Sequence, residues 1–86
     1  MYKVSYTIEG GLFQGFERFL KANIRAHYLC GGNVPRVQFV DNSECACWLF
    51  IERIPASTLC SLLASIEALS LLFGHTLRLE SFSDKL

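Results

Sequence analysis

CACWLFIERI, residues 45–54, is the stretch that decides the fold of this chain. Alternate positions within it are apolar on both sides. They are Cys47, Leu49 and Ile51 on one side and Ala46, Trp48 and Phe50 on the other. A strand that is apolar on both faces is typical of the interior of a sheet. We therefore predict a central β-strand over residues 45–54.

The segments on either side of this strand predict a hairpin and a helix. Residues 36–41 alternate between apolar and polar, and the polar run at 41–44 is typical of a turn, so a hairpin with residues 45–54 is expected. After the strand, Pro55 marks the approach to a helix whose apolar pattern continues up to Gly74.

The two ends of the chain each predict a further strand. Residues 2–9 alternate with the period of a half-buried strand, and the two glycines that follow break the pattern. Residues 12–30 then show the spacing of an amphipathic helix. Residues 76–82 alternate again as a last strand, and residues 83–86 are predicted to form a loose tail.

The order strand, helix, strand, strand, helix, strand leaves few topologies when crossovers are right-handed. The most common is the ferredoxin-like sandwich, an α+β fold in which two helices cover one face of a four-stranded antiparallel sheet. We predict this fold as a single domain over residues 1–86, with the first and third strands in the centre. A chain of this length has one core, which buries about 60–65% of the unfolded surface.

Composition predicts association with another protein. Hydrophobic residues make up 51% of the chain and charged residues 19%, whereas about 25% is the usual charged share. Eight basic residues balance eight acidic ones, so the formal net charge is zero. No electrostatic field attracts a polyanion, and no repulsion keeps copies apart. We therefore expect a protein partner or a homodimer, and the neutral charge disfavours nucleic acid as a partner.

The uncovered face of the predicted sheet is the first candidate interface. It carries the polar residues Lys3, Ser5, Thr7, Gln38, Arg78 and Glu80. Trp48 and Phe50 from the central strand share that face, and a large aromatic ringed by polar side chains is a typical protein-binding anchor. Two other interpretations remain open. The aromatics could stack on single-stranded RNA, or the tail could cross the face so that Phe82 covers Trp48.

The second helix is the other candidate interface, because Glu67 is its single charge. We predict an N-cap at Ser57 or Thr58 and an end at Phe73. Its packing side is predicted to comprise Leu59, Leu62, Leu63, Ile66, Leu69 and Phe73. Its outer flank would then carry Cys60, Ser61, Ala64, Ser65, Ala68, Leu71 and Leu72. A membrane-spanning helix is disfavoured, because its removal into lipid would separate the last strand from the sheet.

The reactive residue types predict no catalytic or metal site. Cys30, Cys45, Cys47 and Cys60 are interpreted as small buried hydrophobes of a reducing cytoplasm, since the sequence begins without a secretory pattern. His27 lies on the apolar stripe of the first helix, and His75 follows a helix end, where a cation suits the helix dipole. The spacing of these residues suits neither a zinc site nor a nucleophile–base pair. No cofactor is expected.

Taken together, these features predict a small cytoplasmic protein without catalytic activity. It would act as a regulatory or inhibitory protein by binding a partner or a second copy of itself. The predicted interface residues are Trp48, Phe50, Ser5, Thr7 and Gln38 on the sheet and Ala64, Ala68, Leu71 and Leu72 on the second helix. The alternatives are a small-molecule-sensing regulatory domain and, with less support, binding of single-stranded RNA.

Overall fold

The computed structural model describes residues 1–11, 13–28, 34–41 and 45–84. Four strands and two helices follow one another in the predicted order. They are β1 (Tyr2–Glu9), α1 (Phe13–Tyr28), β2 (Arg36–Asp41), β3 (Ala46–Ile54), α2 (Leu59–Leu72) and β4 (Thr76–Asp84), with a 3-10 turn at Ala56–Thr58 before α2. The predicted end of the first helix near Cys30 lies outside the described residues.

The strands form one sheet in the order β2-β3-β1-β4, and each neighbouring pair is antiparallel. This order confirms the predicted ferredoxin-like topology, with β1 and β3 in the centre. The inner face of the sheet contributes Val4, Tyr6, Ile8, Cys47, Leu49 and Ile51 to the core, and the helices contribute Phe16, Leu20, Ile24, Leu62 and Ile66. Both helices therefore pack on the same side, and the opposite side, here called the open face, carries the other alternate residues of each strand.

A β-bulge in β4 changes which side its last residues face. Ser5 pairs with Ser81 but the next residue of β1, Tyr6, pairs with Leu79, so Glu80 is an extra residue in β4. Beyond this bulge, Phe82 pairs with Val4 on the helix-covered side. The interpretation in which Phe82 covers Trp48 is therefore wrong.

The same bulge lengthens β4 beyond the predicted end at residue 82. Ser83 pairs with Lys3 and Asp84 pairs with Tyr2, so two residues of the predicted loose tail belong to the sheet. The phenyl ring of Phe82 also lies 5.3 Å from the ring of Tyr2, measured between centroids. Pairing and this ring contact together hold the C-terminal end of the strand.

Helix α2 ends in a Schellman motif. Gly74 has a φ of +73°, its backbone N–H donates to the carbonyl of Leu71 at 3.1 Å, and the N–H of His75 donates to Ser70 at 2.8 Å. At the other end, Thr58 occupies the N-cap position, but its hydroxyl donates to the carbonyl of Pro55 at 3.2 Å instead of accepting from the helix. The predicted end of the helix at Gly74 is confirmed. At its other end, α2 begins at Leu59, directly after the 3-10 turn.

Candidate protein interface

The open face carries its side chains in rows that run across the sheet. Two β-bulges interrupt the register, one in β3 opposite Lys3 and one in β4 at Glu80. Outward-facing residues include three rows that cross β2, β3, β1 and β4 in that order. A shorter row, which consists of Ala46, Glu9 and Thr76, crosses β3, β1 and β4. The first row is Val40, Trp48, Thr7 and Arg78, the second is Gln38, Phe50, Ser5 and Ser81, and the third is Arg36, Glu52, Lys3 and Ser83. Every residue predicted on the open face lies there, including the extra residue Glu80, whose carboxylate accepts a 3.0 Å hydrogen bond from the Thr7 hydroxyl.

Trp48 and Phe50 form an aromatic ridge along β3. Their ring centroids are 5.8 Å apart and their planes differ by 9°, so each ring covers one side of the other. Both side chains remain partly exposed. Val40 flanks Trp48 on β2 with 40% of its surface exposed, which extends the apolar patch. Sequence analysis missed Val40, although its alternation with Gln38 on β2 was sufficient to place it on this face.

A hollow of about 460 Å³ lies beside the aromatic ridge, and we call it the trough. Its floor is low because β1 and β4 place small hydroxyl residues next to the large rings of β3. These residues include Ser5, Ser81 and Ser83. Ser5 is only 6% exposed, and its hydroxyl is hydrogen-bonded to that of Ser81. Ridge and trough together give the open face a pronounced relief.

Two charged groups of the open face, Lys3 and Glu52, pair with each other within the chain. The ammonium of Lys3 lies 3.5 Å from a carboxylate oxygen of Glu52 at one end of the trough. Both side chains keep more than a third of their surface exposed, so this pair contributes little to stability and remains accessible to a partner.

The outer flank of α2 is the second apolar surface. Leu71 is 79% exposed and Leu72 is 77% exposed, the highest values among the exposed large hydrophobic residues. The predicted flank residues Ala64 and Ala68 are also exposed, and Ser65 is half-buried. The predicted packing side of α2 is confirmed, since all six of its residues are buried or partly buried against the core.

A cleft of about 450 Å³ separates α2 from β4. Its walls are mostly apolar and include Leu63, Leu71 and Leu79, while Tyr6 and Glu67 supply polar groups. Burial, and to a smaller extent the negative charge of Glu67, raise the pKa of Tyr6 to about 12. The phenol of Tyr6 therefore stays protonated at neutral pH and can act as a hydrogen-bond donor.

His75 lies in a different environment from the predicted one. Its ring is only 7% exposed, with centroids 5.1 Å from Phe13, 5.3 Å from Phe16 and 6.4 Å from Phe73. Neither ring nitrogen has a hydrogen-bond partner among the described residues. The sequence places His75 directly after the end of α2, and the structure confirms that position, but the Schellman turn directs the side chain into the core. The side chain of His27 lies outside the described residues.

The cysteines differ in exposure, so the prediction that all are buried is only partly correct. Cys47 is fully buried in the core, whereas Cys45 and Cys60 are exposed. Cys30 lies outside the described residues. Within the described part of the chain, no group of three or more histidine, cysteine or acidic side chains is close enough together to hold a metal ion. No described helix is both long and apolar enough to cross a membrane.

Comparison with known proteins adds no family to this geometry. The chain matches no protein-family model, and no curated protein is similar enough to it to indicate homology. Any functional inference therefore depends on the surfaces described above.

Proposed function

We propose that this protein is a small, non-catalytic, cytoplasmic regulator that acts by binding another protein or a second copy of itself. The observation that carries this proposal is the amount of apolar side chain left uncovered by a complete core. Leu71 and Leu72 are almost fully exposed, and the aromatic ridge of Trp48 and Phe50 stands open beside the trough. Exposed apolar surface rimmed by polar residues is typical of protein interfaces.

Two surfaces can serve this function, and they lie on opposite layers of the sandwich. The open face offers a ridge, a trough and a polar rim, which are the features of an anchored interface. The outer flank of α2 offers leucines and alanines with few charges. Such a surface can bury apolar area against a partner but forms few hydrogen bonds or salt bridges with it. A partner on one surface leaves the other accessible.

The test combines the oligomeric state with substitutions on each surface. Analytical ultracentrifugation should detect association in the wild type that weakens in Trp48→Ser or in Leu71→Glu, since each replaces an apolar contact by a polar group. Ala22→Glu is the matched control, because Ala22 is an exposed residue of α1, outside both surfaces, and the substitution introduces the same charge on a helix. The tagged wild type and variants should be compared in a lysate in parallel.

The proposal fails if the wild type is monomeric at about 1 mM and no lysate protein is retained in a manner that depends on Trp48 or Leu71. Equal retention by all variants would likewise contradict it, because binding would then involve neither surface.

Small-molecule sensing is the second candidate, and the cleft between α2 and β4 favours it. A volume of about 450 Å³ suits a small ligand, and the apolar walls with the Tyr6 phenol and Glu67 suit an apolar molecule that carries an amine or hydroxyl. A rise in melting temperature with such compounds, lost in Glu67→Gln, would support this function.

Binding of RNA on the open face receives less support. Lys3 already pairs with Glu52 there, and the exposed basic residues Arg18, Lys21 and Arg25 belong to α1 on the opposite side of the sheet. Two further cations of the open face, Arg36 and Arg78, lie on the edge strands β2 and β4, so a phosphate backbone would meet them at the rim of this face. Quenching of Trp48 fluorescence by oligonucleotides that weakens with salt would reverse this judgement.

A further inference from the structure

We infer that a second copy of this chain covers the open face, with a twofold axis that runs parallel to the strands between β3 and β1. The inference rests on the protein-binding function proposed above and identifies the partner. The rows of the open face carry the argument. Under this symmetry, large side chains of one copy face small side chains of the other, and acidic groups face basic groups.

The twofold axis determines which strands meet. Rotation by half a turn about an axis along the strands turns the second sheet over, so that the two open faces meet. It keeps each row at its level but reverses the order of the strands. Because the sheet order is β2-β3-β1-β4, β3 of each copy then lies over β1 of the other, and β2 lies over β4. Face-to-face sheets pack about 10 Å apart with their strands nearly aligned.

Residue sizes fit this arrangement. Phe50 shares its row with Ser5, and Trp48 shares its row with Thr7. Across the twofold axis, each ring of the aromatic ridge therefore faces a small hydroxyl residue of the second copy. Phe50 of each copy enters the trough of the other at Ser5, and Trp48 lies over Thr7 beside the trough. Both contacts form twice because the interface is isologous.

Charges fit the same arrangement. Glu52 of one copy faces Lys3 of the second copy, and Lys3 of the first faces Glu52 of the second, since these residues occupy the third row on β3 and β1. The two exposed salt bridges can therefore join into a network of four charges across the axis. Arg36 and Arg78 lie on the outer strands, at the rim of the interface, where their guanidinium groups reach water.

The other twofold arrangement within the face lacks this complementarity. An axis across the strands through the middle row would place Phe50 over Phe50 of the second copy and Ser5 over Ser5. It would also place the Glu52 carboxylate over Trp48 and would leave the troughs unfilled. Size and charge thus both favour the axis that is parallel to the strands.

The area predicts a weak dimer. Four strands and three rows cover roughly 20 Å by 20 Å, which is about 400 Å² on each copy and about 800 Å² in total. Buried areas of this size are typical of weak, transient interfaces, so dissociation in the micromolar range is expected. Contact with Trp48 makes intrinsic fluorescence a second readout of dimerisation, because the chain has a single tryptophan.

Charge reversal at the two central positions tests the symmetry. Lys3→Glu places acidic groups at both central positions of the third row, residues 3 and 52, and Glu52→Lys places basic groups at both. Each variant alone should dimerise at least about tenfold more weakly than the wild type, because like charges then face each other twice. An equimolar mixture of the two variants should dimerise as strongly as the wild type, to within about twofold, since every cross-axis pair is again of opposite charge.

The mixture separates contacts between copies from contacts within the chain. Both variants lack the Lys3–Glu52 salt bridge of the single chain, so restored dimerisation in the mixture can arise only across the interface. Reversal of the exposed Glu17–Lys21 pair on α1, which is 2.8 Å apart and lies in the other layer, is the matched control and should leave dimerisation unchanged.

Three results would overturn the inference in distinguishable ways. If the wild type dimerises and neither charge reversal weakens it, while Leu71→Glu does, self-association stands but uses α2. If the single variants are weakened and the mixture is not restored, the open face is used with a different symmetry. If the wild type stays monomeric at about 1 mM while Trp48-dependent binding to another protein persists, the proposed function stands and the second copy is excluded.

Discussion

Substitution of Gly10 by alanine tests the packing between the first turn and the core. Gly10 has a φ of +135°, and a Cβ atom added there would lie 2.6 Å from Nδ1 of His75. L-residues rarely adopt this backbone conformation, which costs about 1–3 kcal/mol. The overlap with a buried ring adds about 1–2 kcal/mol, because the surrounding rings prevent its movement. We expect Gly10→Ala to lower the free energy of unfolding by about 2–5 kcal/mol.

Gly74→Ala is the matched control. Gly74 also has a positive φ, +73°, but nothing lies within 4 Å of an added Cβ, so only the backbone cost of about 1 kcal/mol applies. Urea unfolding followed by Trp48 fluorescence measures both variants. With a slope of about 1 kcal/mol per molar for a domain of this size, the midpoint of Gly10→Ala should fall by about 2–5 M and that of Gly74→Ala by about 1 M.

A double-mutant cycle isolates the steric part of the cost. In a His75→Ala background the ring is absent, so Gly10→Ala should cost about 1–2 kcal/mol less than it does in the wild type. If Gly10→Ala costs no more than Gly74→Ala, or if the cycle gives no coupling, then His75 does not pack against this turn and its burial among the phenylalanines is refuted.

Three further predictions concern the core and the edge of the sheet. The pKa of Tyr6 is raised to about 12 in the folded chain, whereas the phenol has its ordinary pKa of about 10 in the unfolded chain. Between about pH 10 and pH 12 the unfolded chain therefore loses this proton first. The free energy of unfolding should fall by about 2–3 kcal/mol over that range. Urea unfolding of Tyr6→Phe should show a smaller alkaline loss, and equal losses would contradict the assignment. Ile66→Ala should cost about 3–4 kcal/mol in the same assay but Leu71→Ala less than about 0.5 kcal/mol, because only the first side chain is buried. Phe82→Ala should leave the emission maximum of Trp48 unchanged, and a red shift would place Phe82 on the open face after all.

The sequence predicts the elements and their faces well because hydrophobic periodicity responds directly to burial. The alternation of residues 2–9 and 45–54 predicted which side of each central strand is buried, and β1 and β3 confirm it. The six packing residues of α2 follow from the same principle, since a period of 3.6 residues leaves only one side of a helix facing the sheet.

Departures from prediction arise where the pairing partner, and not the local pattern, determines the geometry. The extra residue Glu80 shifts Phe82 to the helix-covered side. In the sequence, Phe82 is one residue out of phase with Leu77 and Leu79, which fits either a bulge or an aromatic on the open face. A second bulge falls between the pairs of β1 and β3 near Arg53, whose φ is +61°. A bulge depends on how two strands fit together, so one strand read alone cannot reveal it.

The aromatic ridge is more than a by-product of stability. Trp48 and Phe50 are flanked on β1 by Thr7 and Ser5, which are too small to cover the rings, so within one chain the rings bury mainly against each other. β-branched residues would satisfy the strand preference of these positions with less exposed apolar area. In the dimer proposed above, the hydroxyl floor of each copy would receive the rings of the other. That contact would leave Leu71 and Leu72 uncovered on the other layer, so self-association through the open face and binding through α2 are compatible within one assembly.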